Sequence, residues 1–216
     1  MNDLEIKESY LKKRAAKVVK NLEKNGFKAW YAATAGEAKE TFLSLIPEGV
    51  TVAIAGGQTL EQIGVRPYLL QSGRFHTINP GEPGIDAKEA LARRKQTLTA
   101  DVMVCGTNAV TENGFLVNVD GWGQRVAGMI FGPDKVIIGA GMNKVVEDVP
   151  DAWQRLRRIA RPMNNIRYGL KNPCTETGFC ADCNNKTRIC NYFTIMERSF
   201  IPDRITVILI GEELGY

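Results

Sequence analysis

Histidine is almost missing from this chain of 216 residues, in which His76 is the only one. Catalytic zinc sites and Ser–His–Asp hydrolases are commonly built around histidine, so both are disfavoured unless His76 itself serves. This residue alternates with apolar neighbours in a short predicted strand. A single histidine in that setting is more typical of a structural position than of a catalyst.

Long hydrophobic runs are missing as well. No apolar stretch approaches the ~20 residues that a membrane-spanning helix needs. Residues 1–20 are charged and amphipathic and lack the apolar segment of a signal peptide. We therefore expect no membrane span and a cytoplasmic location, where cysteines are normally reduced and serve metal binding or catalysis more often than disulfides.

A large charge of one sign is also missing. The net charge is +4, and acidic and basic residues are mixed along the chain. Basic residues do crowd at 12–14 and 155–161, each in a predicted helix, where a solvent-exposed face is the default interpretation. A nucleic-acid surface normally shows a larger basic excess with interleaved aromatic residues, so no nucleic-acid partner is expected.

The chain instead contains short apolar runs that alternate with helical patterns. This alternation is typical of an α/β protein with a largely parallel, doubly wound sheet, here one domain over residues 1–216 with a Cys-rich excursion at 172–191. The predicted strands are 27–31, 50–55, 74–78, 101–105, 115–119, 127–131, 135–140 and 205–210. The predicted helices are 1–25, 37–45, a stretch beginning near Thr59, 86–98, and 148–161, which should stop near Pro162.

Three of the predicted strands are short, apolar and rich in β-branched residues, and we expect them to be buried neighbours in the sheet. They are 50–55, 101–105 and 135–140. Ligands of such sheets bind beyond the carboxyl ends of the strands. The candidate ligand-binding loops are therefore 55–59, 105–114 and 140–144.

Cysteine is concentrated near the end of the chain. Four of the five cysteines lie within 17 residues, with the spacing C-x5-C-x2-C-x6-C, and they are Cys174, Cys180, Cys183 and Cys190. Four thiolates complete either a tetrahedral zinc site or an iron–sulfur cluster. The spacing is neither that of a bacterial ferredoxin nor that of a zinc ribbon. The remaining alternative is a set of reduced cysteines, or of disulfides that form on oxidation.

Three motifs follow the predicted strands in a recognisable order. They are 55–60 (AGGQTL), 101–114 (DVMVCGTNAVTENG), and 132–138 (GPDKVII) followed by 141–144 (GMNK). Together they resemble the lactate-utilisation (LUD) domain, and more distantly the ribose-phosphate isomerase and CoA-transferase-like fold, over nearly the whole chain. The resemblance implies a subunit or accessory of oxidative lactate or organic-acid metabolism that works beside iron–sulfur or flavin subunits. It also makes an iron–sulfur cluster the preferred occupant of the cysteines, with zinc as the alternative.

The loop Gly56-Gly57-Gln58-Thr59 is the first candidate binding element. Glycine lets a ligand approach the backbone closely, and the following helix presents free N–H groups to an anion. The alternative is a tight turn in which Thr59 caps the helix. The loop is neither a P-loop nor a complete dinucleotide fingerprint, because the third glycine and the Gly-Lys-Ser/Thr ending are absent.

Glu112 is the candidate catalytic residue. It lies in a Glu-Asn-Gly sequence that resembles the CoA-transferase signature, in which the glutamate is the nucleophile, but Asn-Gly is also a common hairpin turn. A shared site requires Glu112 and Gly57 to lie within about 10 Å of each other. The other candidate ligand-binding residues are Asn113, Asp120, Asn143 and Lys144.

The sequence thus predicts a LUD-like protein that binds a small organic acid, an acyl-CoA or a phosphate ligand, together with an iron–sulfur cluster. One alternative is a CoA-transferase-like or sugar-phosphate enzyme that uses Glu112 and holds a structural zinc. The other alternative is a binding protein without catalytic activity. Homo-oligomers are compatible with each of these interpretations.

Overall fold

The apolar runs of the sequence form ten strands in the computed structural model, which describes residues 1–216. The strands are β1 Lys28–Ala32, β2 Thr51–Ile54, β3 His76–Ile78, β4 Val102–Gly106, β5 Ala109–Thr111, β6 Leu116–Asp120, β7 Lys135–Gly141, β8 Val145–Val146, β9 Tyr192–Met196 and β10 Ile205–Ile210. Most of them are rich in the β-branched residues that fit a pleated, buried surface.

Nine α-helices connect or cover these strands. They are α1 Asp3–Lys24, α2 Ala35–Ser44, α3 Gln58–Gln62, α4 Val65–Gln71, α5 Ala87–Gln96, α6 Gln124–Ile130, α7 Val149–Arg155, α8 Arg161–Arg167 and α9 Pro173–Thr177. Polar side chains start several of them: Asn2 and Glu5 form a capping box on α1, and Asp86 and Asp148 cap α5 and α7. None of the helices is long and apolar enough to cross a membrane.

The main sheet has six strands in the order β1-β10-β7-β4-β2-β3, and every neighbouring pair is parallel. The strands β4 and β10 are buried along their whole length, as expected for a parallel sheet that is covered on both faces. The strands β2, β4 and β7 are adjacent, which confirms the predicted neighbours. The α/β fold with a largely parallel sheet is likewise confirmed.

The two faces of this sheet carry separate apolar clusters. On one face α1 packs through Ala15, Val18 and Leu22. On the other face α2 and α3 contribute Phe42 and Leu60. The helices therefore cover both faces of the sheet, so the polar side chains that could bind a ligand lie at its edges.

A second sheet of four strands has the order β8-β5-β6-β9 and was only partly predicted. Its strand β9 lies on the open edge, and its side chains are mostly exposed, so it lacks the apolar run that identifies a buried strand. The predicted strand at 127–131 is wrong, because these residues belong mainly to α6. Val126 and Met129, three residues apart, are the large buried side chains there, and a short apolar run does not distinguish a buried strand from a buried helix.

The helix that was expected to stop near Pro162 instead continues through it. Between α7 and α8 the residues Leu156–Ala160 form a π-helical turn. Proline has no N–H group to donate to the preceding turn, and a π turn absorbs that missing hydrogen bond without ending the helix. The continuous helical segment therefore runs from Val149 to Arg167.

Arg204 is a buried cation that holds α6 and the turn after it by hydrogen bonds. Its three guanidinium nitrogens donate to the carbonyl oxygens of Pro133, Met129 and Gly128 at 2.8–2.9 Å. We expect Arg204→Ala to leave these carbonyls unpaired, to lower the free energy of unfolding by about 3 kcal/mol, and to lower Tm by about 6–12 °C. Arg198→Ala, which removes an exposed arginine, is the control. Equal effects of both substitutions on urea unfolding would contradict this role.

Candidate functional site

A cleft of about 630 Å³ opens at the carboxyl ends of β2 and β4. The loops that follow β2, β4 and β6 form one wall, and α8 forms the other together with Ile189 and Cys190, near the end of the Cys-rich segment. This is the position at which parallel α/β sheets bind ligands, and the volume suits a small molecule. The predicted loops at 55–59 and 105–114 both contribute to it.

Cationic side chains dominate the lining of the cleft, with six arginine or lysine residues against two carboxylates. Arg66 pairs with Glu61 at 2.9 Å, and Arg125 pairs with Asp120 at 3.0 Å. Arg161 lies 3.8 Å from Asp182, which is outside the lining, and the lining arginines without any carboxylate partner are Arg94 and Arg167. The cleft therefore presents uncompensated positive charge and favours an anionic ligand.

The glycine loop approaches β4 so closely that only glycine fits. Gly57 has φ +114°, and a Cβ atom on it would lie 2.8 Å from the backbone nitrogen of Gly106. The N–H groups of Gly56, Gly57 and Gln58 have no hydrogen-bond acceptor in the protein. Because α3 has only five residues, its dipole adds little, and the free N–H groups themselves are what the loop offers to an anion.

Lys144 is buried, with 2% of its surface exposed, yet it lines the cleft. Its Nζ donates to Thr59 Oγ1 at 2.9 Å and to the carbonyl oxygen of Thr107 at 3.2 Å. Burial lowers the pKa of Lys144 to about 7, and the charges of Arg155 and Arg125 act in the same direction. The Lys144 amine therefore passes between its charged and its neutral form near neutral pH.

Asp120 lines the cleft as predicted, but its oxygens are occupied. Oδ1 accepts from the N–H groups of Trp122 and Gly123, and Oδ2 accepts from Arg125 Nε. Arg125 in turn donates to the carbonyl oxygen of Gly106 at 2.9 Å. The two side chains thus hold the loops after β4 and β6 together.

Thr59 and Asn143 lie behind the cleft rather than in its lining. Thr59 does not cap α3. Its hydroxyl donates to the carbonyl oxygen of Leu214 at 3.2 Å and accepts from Lys144. Asn143 accepts from the N–H of Leu214 and donates to the carbonyl oxygen of Gly215. Both side chains therefore hold Leu214 and Gly215 in place beside the amine of Lys144.

Glu112 and Asn113 are not brought together with these residues. They form the turn between β5 and β6, which packs on α1, and neither lines the cleft. Lys17 donates to the Glu112 carboxylate at 2.6 Å and Arg14 donates to it at 3.4 Å. The hydrogen bond from Lys17 is the largest cause of a lowered pKa of Glu112, and Arg14 lowers this pKa further. The carboxylate therefore serves an ion pair between this turn and α1.

We expect Glu112→Gln to leave anion binding in the cleft unchanged within about twofold, with inorganic phosphate as the probe. Only the two partly exposed ion pairs with Lys17 and Arg14 are lost, so Tm should fall by about 2–4 °C. Glu61→Gln is the contrasting variant, because it removes a carboxylate from the cleft and frees Arg66, which should tighten binding. A tenfold loss of phosphate affinity in Glu112→Gln would instead show that Glu112 takes part in ligand binding.

The four clustered cysteines share one neighbourhood beside the cleft. Cys174 is buried on α9, the others are half-buried, and Cys190 lines the cleft itself. Burial raises the pKa of the Cys174 thiol, and the charges of Cys183, Cys180 and Cys190 raise it further, since all of them are near. No group of three or more histidine, cysteine or carboxylate side chains is already arranged as a site for a metal ion.

Two arginines approach the cysteines. Arg188 donates to the carbonyl oxygens of Cys183 and Cys190. Arg161, which is 3% exposed, lies 3.7 Å from Cys180 Sγ, and its buried Nε has no partner. A buried cation with an unused donor suits an anionic, thiolate-bound centre and fits the donor set of four reduced thiols.

Arg155 and Arg161 were expected on a solvated face, and this was wrong. Arg155 is 7% exposed and donates to the carbonyl oxygens of Asn108 and Asn143, while Arg161 stacks on Trp153 at 4.5 Å. The signal in the sequence was the apolar stripe at positions 152, 156 and 160, which these two arginines directly flank. The crowding of basic residues obscured it.

Three solved structures are similar to this chain over different shares of its length, and the first of them supports the fold. A crystal structure of a DUF162 family protein from Deinococcus radiodurans is similar over 93% of this chain and 98% of that chain, with a TM-score of 0.54 and 14% identity. Ribose 5-phosphate isomerase from Plasmodium falciparum is similar over 52% of both chains, with a TM-score of 0.34 and 16% identity. A D-ribose-5-phosphate isomerase in complex with phospho-erythronic acid is similar over 61% of this chain and 63% of that chain, with a TM-score of 0.34 and 15% identity.

No curated protein matches the sequence. The LUD domain, in contrast, matches residues 15–210, which is most of the chain and includes all the main-sheet strands. The resemblance predicted from the three motifs is confirmed by this match. The chain therefore belongs to the LUD domain family.

Proposed function

We propose that this LUD-domain protein serves the oxidative use of lactate or a related organic acid, as a subunit or accessory. In this role the cleft binds a small anionic ligand: an organic acid, an acyl compound or a phosphate. The observation that carries the proposal is the excess of cations in the cleft, combined with the free N–H groups of Gly56 and Gly57. A carboxylate or phosphate accepts charge-assisted hydrogen bonds from such donors.

We further propose that Cys174, Cys180, Cys183 and Cys190 hold an iron–sulfur cluster, with zinc as the alternative. A cluster tolerates sulfurs that are more widely spread than the ligands of a single ion, which lie within ~4 Å of one another. When bound, such a cluster supplies one-electron transfer. Arg161 and Cys190 both line the cleft, so the residues that would hold and neutralise the cluster also form a wall of the ligand site.

The transferase alternative receives no support from the cleft. Its proposed nucleophile, Glu112, faces Lys17 and Arg14 and is not among the lining residues. A binding protein without catalytic activity would use the same cleft. The two remaining interpretations differ in whether the cysteine segment takes part in electron transfer.

Anaerobic purification with metal analysis and visible spectroscopy tests the cluster. We expect brown protein with iron and sulfide, and bleaching on reduction. Colourless protein with one zinc would support the structural-metal alternative, and metal-free protein after reconstitution with iron and sulfide would contradict both. Calorimetric titration with lactate, pyruvate, phosphate and CoA tests the cleft, where failure of all four to bind would contradict the ligand proposal.

Two neighbouring arginines on α5 offer a matched pair for the titration. Arg94 lines the cleft and stacks on Trp122, whereas Arg93 pairs with Glu82 and Glu89 outside it. We expect Arg94→Gln to weaken binding of the anion about five- to tenfold, the effect of losing one favourable charge contact. Arg93→Gln should leave the affinity unchanged, and equal losses in both variants would indicate only a diffuse charge effect.

A further inference from the structure

The amine of Lys144 has an environment that suits an uncharged nucleophile. An ammonium group has three N–H donors, whereas a neutral amine has two and one lone pair. The fold provides two acceptors, Thr59 Oγ1 and the carbonyl oxygen of Thr107, and no carboxylate pairs with Nζ. The neutral amine therefore satisfies both of its donors and keeps its lone pair free.

Access to this lone pair is restricted to one side. The backbone of Gly215 packs so closely behind the amine that a Cβ atom there would lie 3.0 Å from Lys144 Nζ and 2.6 Å from Thr59 Oγ1. Thr59 is fully buried, and Lys144 itself lines the cleft. An electrophile therefore reaches Nζ only from the cleft, where the cations select for compounds that carry an anionic group.

We propose that Lys144 forms an imine with a carbonyl compound that carries a carboxylate, an oxo acid, in the cleft. The inference rests on the proposed anion-binding function of the cleft and adds to it a substrate class and a covalent step. An oxo acid is also what remains when a hydroxy acid loses two hydrogens. The same cleft would therefore hold both the reduced and the oxidised acid, and only the oxidised acid would react with Lys144.

The step balances without any further reactant. The Lys144 nitrogen attacks the carbonyl carbon, so that a C–N bond forms while the C=O π bond breaks and its electron pair moves to the oxygen. A proton then passes from nitrogen to this oxygen to give a carbinolamine. Loss of one water leaves the C=N bond, and addition of water reverses the reaction. No oxidation or reduction occurs. The Thr59 hydroxyl, 2.9 Å from Nζ, is placed to relay the proton. Burial first, and then the nearby charges of Arg155 and Arg125, disfavour the ammonium form that would not react.

Borohydride trapping tests the proposal on the full chain. The protein is incubated with pyruvate at about pH 7.5, reduced with borohydride, digested and analysed by mass spectrometry. We expect the reduced pyruvyl adduct on Lys144, formed about a hundredfold faster than on exposed Lys171, because ordinary lysines are almost wholly protonated at this pH. Lactate, which has no carbonyl group to attack, should protect Lys144 by occupying the cleft.

The variants separate imine formation from mere charge. Lys144→Arg keeps a cation but cannot form the imine, so it should lose the adduct, and Lys171→Arg should retain it. If Lys144→Arg does not fold, the protection of Lys144 by lactate in the unaltered chain still tests the proposal. An absent adduct, or equal labelling of exposed lysines, overturns the proposal. If lactate binds by calorimetry but pyruvate leaves no adduct, the imine alone fails, whereas failure to bind either acid contradicts the function of the cleft.

Discussion

Replacing Cys183 by serine is expected to remove the metal or cluster from anaerobically prepared protein and to loosen residues 172–191. Within this segment only Asn172 and Cys174 are buried, and Phe179 is 74% exposed, so the segment has little apolar packing of its own. In such segments the free energy of metal binding is folding free energy. We expect iron and colour to be lost and Tm to fall by about 5–10 °C.

Cys105→Ala is the matched control for this substitution. Cys105 lies in β4 with no exposed surface, and burial raises the pKa of its thiol to about 12, so the thiol is unreactive, and it is not one of the four clustered cysteines. Its replacement should cost some packing but leave iron content unchanged. Limited trypsin digestion provides a second measurement, because Lys186 and Arg188 should become cleavable in Cys183→Ser alone. Unchanged metal content and digestion in Cys183→Ser would exclude a shared centre.

The main sheet was predictable because its strands are buried on both faces. Such strands consist of continuous apolar, β-branched residues, and 205–210 (ITVILI) is the clearest example. The edge strand β9 was missed because an exposed edge imposes no such pattern. The residues of α6 were assigned to a strand because seven residues are too few to reveal helical periodicity.

The candidate site was predictable where it depends on the ends of parallel strands. Gly57 and Lys144 follow β2 and β7, and the topology brings such loops to one edge. The position of Glu112 outside the cleft could not be predicted, because its short motif is equally that of a hairpin turn, and only the packing of α1 brings Lys17 to it. Arg161 was missed because the crowding of basic residues obscured the apolar stripe beside it, and because its contact with Cys180 joins segments that are 19 residues apart.

The stability of the chain should carry a pH signature of Lys144. In the folded chain burial lowers the pKa of this lysine from 10.5 to about 7. Between these two values unfolding takes up a proton, so the stability of the unaltered protein rises with pH across this window. Below pH 7 the lysine is protonated in both states, and the full cost of its buried charge opposes folding. Lys144→Met removes this cost, because methionine fills similar space without a charge.

We therefore expect Lys144→Met to be more stable than the unaltered chain at about pH 6, where its free energy of unfolding should exceed that of the unaltered chain by a few kcal/mol. The advantage should shrink by about 1.4 kcal/mol for each pH unit above 7. Urea unfolding from about pH 6 to pH 9 measures this difference, with exposed Lys88→Met as the control whose difference stays flat. A constant difference for Lys144→Met would mean that Lys144 remains charged in the folded chain, and its proposed reactivity toward oxo acids would lose its physical basis.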